Sequence, residues 1–260
     1  MKISVADLLI KYIENECAEY IFGTHSKTLT PLFKSLENNN CKIKPISVKH
    51  EGNAAFMADG YARIKGSLGV CFGSAGSGIT NLVTGIASSY ADSIPLLALT
   101  GQVSTKNYGK GSFQDSAKNI IDSISVLDSV TKYNSVIINK YKADGEIQCA
   151  LKTALTGRKG PVHLSLPVDV LEEELDESIE PVKPKYSNQY FDRQLVIEAS
   201  QKLVNAKCPV ILAGAGAVHS KASSEIIELA EMLGIPVAST PKAKGVFPEK
   251  HPLSLGIIGF

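Results

Sequence analysis

The chain has 260 residues, 44% of them apolar and 20% charged, with 27 Lys and Arg against 26 Asp and Glu. That supplies core for one large or two ordinary domains, and a formal charge of +1 excludes the electrostatic footprint of a nucleic-acid or anionic-membrane binder. No apolar run reaches a membrane span and Met1-Lys2-Ile3-Ser4 opens no signal peptide, so the expected location is cytoplasmic. The cysteines Cys17, Cys41, Cys71, Cys149 and Cys208 are scattered and never in Cys-x-x-Cys spacing, which reads as free thiols in a reducing compartment.

In chain order, Ser4 with Asp7 has capping-box spacing ahead of Leu8, Leu9, Tyr12 and Ile13 at helical intervals. A strand is predicted at 20–22, a helix at 27–36 with Leu29, Leu32, Phe33 and Leu36 on one face, and a strand at 43–48 that runs into a helix beginning at Glu51. Strands at 68–72, 96–100, 133–138 and 162–166 alternate with helices at 79–89, near 115–127 and at 140–155. Strands that are apolar without alternation, each followed by a helix, predict a mostly parallel sheet covered on both faces.

Residues 172–190 bring acidic side chains, prolines and little apolar content, which is linker chemistry. The expected organisation is therefore a first α/β domain over 1–171, the linker, and a second α/β unit over 191–260. That second unit reads as helix 192–205, strand 210–213, helix 220–233 and strand 236–239, with no complete element after 240. Two strands are too few to hold a sheet alone. The reading is an incomplete, Rossmann-like α/β domain that docks on another chain or is the front portion of a longer polypeptide.

Three features carry the chemistry. Lys49-His50-Glu51-Gly52-Asn53-Ala54-Ala55 is a strand end turning into an Ala-rich helix, so Glu51 stands at the mouth of a strand-to-helix turn. Open α/β sheets place ligands there, yet an acid at a helix start is also favoured by the helix dipole alone; both readings stand. Gly73-Ser74-Ala75-Gly76-Ser77-Gly78 follows a strand and opens a helix, which suits close approach to a ligand or a plain tight turn. It has neither a Walker nor a dinucleotide spacing. Gly214-Ala215-Gly216 repeats the situation in the second unit without the third glycine of a dinucleotide fingerprint. His25, His50, His163, His219 and His251 form no metal-ligand spacing and flank no nucleophile, so no metal site and no Ser/His/Asp triad are expected.

Val48-Lys49-His50-Glu51-Gly52-Asn53-Ala54-Ala55-Phe56-Met57-Ala58-Asp59-Gly60-Tyr61-Ala62-Arg63 closely resembles the N-terminal domain of thiamine-diphosphate enzymes of the acetolactate synthase type. Further matches run in family order through 90–103, Phe113-Gln114-Asp115, 157–162, 245–249 and 251–256. The resemblance implies a pyrimidine-binding domain followed by part of a central FAD- or nucleotide-binding-like domain, in a decarboxylase or carboligase that converts pyruvate to 2-acetolactate with release of carbon dioxide. It implies Glu51 and Gln114 as catalytic residues, with Thr24, Ser77 and Asn81 beside them at thiamine diphosphate. It implies FAD at Arg158, Gly214, Ala215, Gly216 and Thr240. It also implies Mg²⁺ and the diphosphate on a further domain or polypeptide, a small 2-oxo acid substrate, and a homodimer or higher oligomer. Without that further domain, the chain is expected not to turn over substrate.

The chain departs from the family pattern in three places. Thr24-His25-Ser26-Lys27 replaces a Pro-Gly-Gly loop, with Lys27 where these enzymes carry a glycine close to the reacting centre; Ser77 replaces a proline and Asp115 a glutamate. Two other function classes compete: a non-catalytic binding or regulatory chain that keeps the fold, and a nicotinamide or flavin oxidoreductase built on the second unit. A retained acid at position 51 argues against the first, and the missing third glycine against the second.

Overall fold

A computed structural model describes residues 3–38, 41–175, 179–181 and 191–259, which divide into two compact units at Asn188/Gln189. The first unit opens with β1 (Ile3–Ser4) and α1 (Val5–Asn15), followed by β2 (Tyr20–Gly23), α2 (Thr30–Asn38), β3 (Lys44–Ser47) and α3 (Glu51–Lys65). Then come β4 (Gly69–Gly73), α4 (Ser77–Asp92), β5 (Leu96–Gln102), α5 (Ser123–Leu127), β6 (Tyr133–Val136), α6 (Lys140–Leu155), β7 (Pro161–Pro167), α7 (Val168–Leu171) and β8 (Glu174–Leu175).

Six strands form one parallel sheet in the order β3-β2-β4-β5-β7-β6. β4, β5 and β7 are buried along their whole length, and the reason lies in the alternation of side chains. Ile21, Val70, Phe72, Leu97 and Leu99 join a core with α1, α2 and α6. Their neighbours Phe22, Cys71, Leu96 and Ala98 join a second core with α3, α4 and α5. Each face needs apolar residues, so the strand sequences cannot alternate.

Local chemistry sets the helix ends. Ser4 Oγ accepts the Asp7 N–H at 3.1 Å while Asp7 Oδ2 accepts the Ser4 N–H at 2.8 Å, a complete capping box for α1. α3 stops at Gly66 in the left-handed conformation, φ +68°. The small residues of α3 let α4 come close: a Cβ built on Gly85 would lie 2.4 Å from Ala55 Cβ.

Two corrections concern the first unit. Where a helix is predicted near 115–127, only Ser123–Leu127 is helical. The carboxylate of Asp115 accepts the Gly109 and Ala117 N–H groups, and Asp122 caps the helix by accepting from Ile124 and Ser125, so local side-chain bonds replace the helical ladder. The stretch read as linker also contributes structure. Glu174–Leu175 pairs antiparallel with Ile3–Ser4, and the Pro181 carbonyl accepts from Asn15 Nδ2.

The second unit contains α8 (Arg193–Val204), β9 (Ile211–Ala213), α9 (Ala215–His219), α10 (Ser223–Leu233), β10 (Val237–Ser239) and β11 (Ser254–Ile257). Its sheet is parallel in the order β11-β10-β9. The strand after residue 240 corrects the expectation of two strands. The helix predicted at 220–233 starts at Ser223 as α10, and the left-handed Lys221, φ +57°, separates it from the short α9 that precedes it. Ala213, Ala230, Val237, Ala243, Val246 and Phe247 form its core.

Candidate active site

Glu51 is the first residue of α3, preceded by His50, whose Nδ1 accepts the Gly52 N–H at 3.1 Å and so caps the helix. Three separate pieces of the chain converge on its carboxylate. Thr24 Oγ1, from the loop after β2, donates to Oε1 at 2.7 Å. Ser74 Oγ, from the turn after β4, reaches the same oxygen at 3.4 Å, and Asn81 Nδ2, on α4, donates to Oε2 at 3.0 Å. All three lie beyond the carboxyl ends of parallel strands or on the helix that follows, where open sheets receive ligands.

Burial pushes the Glu51 pKa up. The hydrogen bonds from Asn81, Thr24 and the residue's own N–H, with the nearby His50, outweigh that and leave it below the usual 4.5. The group is therefore a carboxylate at neutral pH. It is half-buried, and Oε2 receives one side-chain donor, so acceptor capacity remains for a ring nitrogen that carries or takes a proton. The glycine turn is shaped to the acid. A Cβ on Gly73 would come within 3.3 Å of Glu51 Cγ, and one on Gly78 within 3.2 Å of Oε1 and 2.4 Å of Ser74 Oγ.

Thr24 and Asn81, both anticipated from the sequence, touch Glu51 directly. Gln114 lies on the far side of the glycine turn, with left-handed φ of +60°, and a Cβ on Gly76 would sit 3.3 Å from its Cβ. Ser77 is exposed as the first residue of α4, its carbonyl accepting from Thr80 Oγ1. Sequence reasoning missed Ser74, whose only signal is its place next to Gly73. It also missed Ser116, which accepts the Gly76 N–H at 2.7 Å across 40 positions of sequence and has no local signature.

The remaining site candidates lie elsewhere. Gly214 precedes α9, Ala215 and Gly216 open it, and the Thr240 N–H donates to the Ala213 carbonyl at 2.9 Å. These four residues thus cluster at the carboxyl ends of β9 and β10. Arg158 belongs to the first unit, where its Nε donates to Ser93 Oγ at 2.7 Å. Among the described residues no group of three or more His, Cys, Asp or Glu could hold a metal, and no helix is long and apolar enough to cross a membrane.

Comparison with known proteins identifies the domains. Residues 3–123 match the thiamine pyrophosphate enzyme N-terminal TPP binding domain, and 196–260 match the thiamine pyrophosphate enzyme central domain. The probable acetolactate synthase large subunit of Methanocaldococcus jannaschii is 41% identical over 98% of this chain and 43% of its own length. The acetolactate synthase large subunit of Corynebacterium glutamicum is 35% identical over 99% of the chain and 41% of its own length. The isozyme 1 large subunit of Escherichia coli is 31% identical over 98% and 44%. The chain thus spans less than half the length of these relatives. Taken with the six-stranded parallel sheet, these matches establish that the chain belongs to the thiamine pyrophosphate enzymes, carrying their N-terminal TPP binding domain and central-domain sequence in that order.

Proposed function

We propose that this chain forms the aminopyrimidine-binding part of an acetolactate synthase-type enzyme that decarboxylates a small 2-oxo acid such as pyruvate and transfers the remainder to an acceptor. The observation that carries this reading is the Glu51 carboxylate, held by Thr24, Ser74 and Asn81 beneath a glycine turn. Thiamine diphosphate, when bound, supplies the carbon nucleophile and the electron sink for that chemistry. Glu51 holds a proton against the pyrimidine ring nitrogen and returns it. Neutral donors on Oε1 keep the side chain in one orientation while leaving its charge uncompensated by any salt bridge among the described residues. In this reading Gln114, which packs against Gly76 of the same turn, hydrogen-bonds a reacting group.

The diphosphate and Mg²⁺ belong, in this reading, to a domain or polypeptide beyond these residues, and two subunits build the complete site. The cluster of Gly214, Ala215, Gly216 and Thr240 in the second unit is assigned to FAD. Lys27 is exposed on the loop that carries Thr24, where it adds a cation to the rim and bears on the choice of acceptor. The test combines the purified chain with the C-terminal remainder of a close relative, thiamine diphosphate, Mg²⁺ and pyruvate. Formation of acetolactate that Glu51→Gln abolishes supports the proposal. A folded, associated mixture that binds the cofactor without turnover refutes it in favour of a non-catalytic binding chain.

A further inference from the structure

The loop from β5 to α5 carries Gln114, and a chain of buried hydrogen bonds fixes that loop to the glycine turn. At its start Gln102, buried, accepts at Oε1 from the Val103 N–H at 2.8 Å and the Ser116 N–H at 3.1 Å. Ser116, buried to 2% exposure, then accepts the Gly76 N–H at 2.7 Å. Asp115 secures the segment on either side, with Oδ2 accepting from Gly109 N at 2.8 Å and Oδ1 from Ala117 N at 2.9 Å. Further back, Asp169 receives Ser104 Oγ at 2.8 Å and Thr105 Oγ1 at 2.6 Å.

Gly76 is where this network meets the site. With φ +68° and ψ −117° it adopts a conformation closed to side-chain-bearing residues, and as the residue before α4 its N–H has no helical acceptor. Gly73 and Gly78, on the other arms of the turn, pack on Glu51. One hydroxyl therefore joins the Gln114 loop to the turn that shapes the Glu51 pocket.

We propose that Ser116 is a positioning residue: its hydrogen bond from Gly76 sets the spacing between Gln114 and Glu51, and with it the affinity of the site for an aminopyrimidine. The ligand in this statement rests on the function proposed above; the coupling of loop and turn does not. Ser116→Ala leaves a buried N–H without its acceptor, whereas Ser116→Thr keeps the hydroxyl. The full chain, labelled with ¹⁵N, is followed for Gly76 amide exchange and for the Gln114 side-chain amide resonances, and, combined with the C-terminal remainder of a relative, for thiamine diphosphate binding in the presence of Mg²⁺.

The expected result is that Ser116→Ala speeds Gly76 exchange about tenfold while Val70 on β4 exchanges as before. The Gln114 resonances shift, thiamine diphosphate binds about tenfold more weakly, and Ser116→Thr restores all three. Unchanged Gly76 exchange overturns the proposal. So does an equal acceleration at Val70, since that would make Ser116 a general stabiliser. If the unsubstituted chain, combined with the C-terminal remainder of a relative, shows no response to thiamine diphosphate and Mg²⁺, the pyrimidine reading of the site fails, while Gly76 exchange and the Gln114 resonances of the chain itself still decide the coupling.

Discussion

His163 sits fully buried on β7, and its two ring nitrogens have opposite duties. Nδ1 faces Asn134 Oδ1 at 2.6 Å, and Nε2 faces Thr100 Oγ1 at 2.7 Å. The Asn134 amide nitrogen is committed to the Ile124 carbonyl at 2.5 Å, so its oxygen points at the imidazole. Nδ1 must therefore carry the proton, and Nε2 accepts from the threonine. Burial disfavours the imidazolium and pushes the His163 pKa down from 6.5 to about 3. The unfolded chain takes up a proton near pH 6.5 that the folded chain refuses, so this residue's contribution is complete above that pH and declines as pH falls. Between pH 7 and pH 5 the loss comes to about 2 kcal/mol, at roughly 1.4 kcal/mol per pH unit once below 6.5. Urea unfolding followed by circular dichroism from pH 7.5 to 5 measures it, with His163→Gln as the reference that cannot titrate. The wild-type stability should fall more steeply than the variant's by about that amount, and the His163 imidazole resonances should not titrate between pH 8 and 5. Parallel stability curves, or an imidazole midpoint near the usual 6.5, would refute the reasoning.

Three further outcomes follow from the geometry. Asn81→Leu removes the leading hydrogen bond that offsets burial at Glu51, so the Glu51 pKa rises and the stability it adds above its unfolded pKa is lost at a higher pH on acidification; ¹³C titration of the carboxyl carbon measures it. Gly76→Ala forces a side chain into φ +68°, ψ −117° and within 3.3 Å of Gln114, and is expected to cost about 1–3 kcal/mol in chemical denaturation. Asp59→Asn weakens a buried acid that receives Arg63 Nε at 2.5 Å and Ser89 Oγ at 2.7 Å between α3 and α4. Because Arg63 is partly exposed and keeps Asp92, the expected loss is about 1–2 kcal/mol, below that of a fully buried pair.

The central strands β4, β5 and β7 are legible in the sequence because each is covered by helices on both faces and so is largely apolar along its length. The capping box at Ser4 and Asp7 is legible because its partners lie three residues apart. What escapes is set by long-range pairing. Ser254–Ile257 contains a glycine at φ +77° and alternates half-buried and exposed positions, and it becomes a strand only through its register with β10. The helical spacing near 115–122 is overridden because Asp115, Ser116 and Asp122 spend their polar atoms on nearby and distant backbone groups. Ser74 and Ser116 are invisible for the same reason: a serine gives no periodic signal, and its role depends on which strand end folds beside it.

The two readings that spacing alone leaves open for Glu51 make different structural demands. An acid kept for the helix dipole needs only the N–H groups of its own first turn, and its carboxylate can face water. Here the helix already has a cap in His50 Nδ1, so that need is met by the preceding residue. The Glu51 oxygens instead collect Thr24, Ser74 and Asn81 from three parts of the sheet edge. Two glycines withhold the side chains that would crowd the acid. A structure that needed only to satisfy a buried acid could pair it with a cation, which would lower its pKa further and occupy its free lone pairs. Neutral donors hold the group in place and leave Oε2, with its single side-chain donor, room to accept a hydrogen bond from a ligand. That distinction, which no spacing rule contains, favours the ligand-site reading.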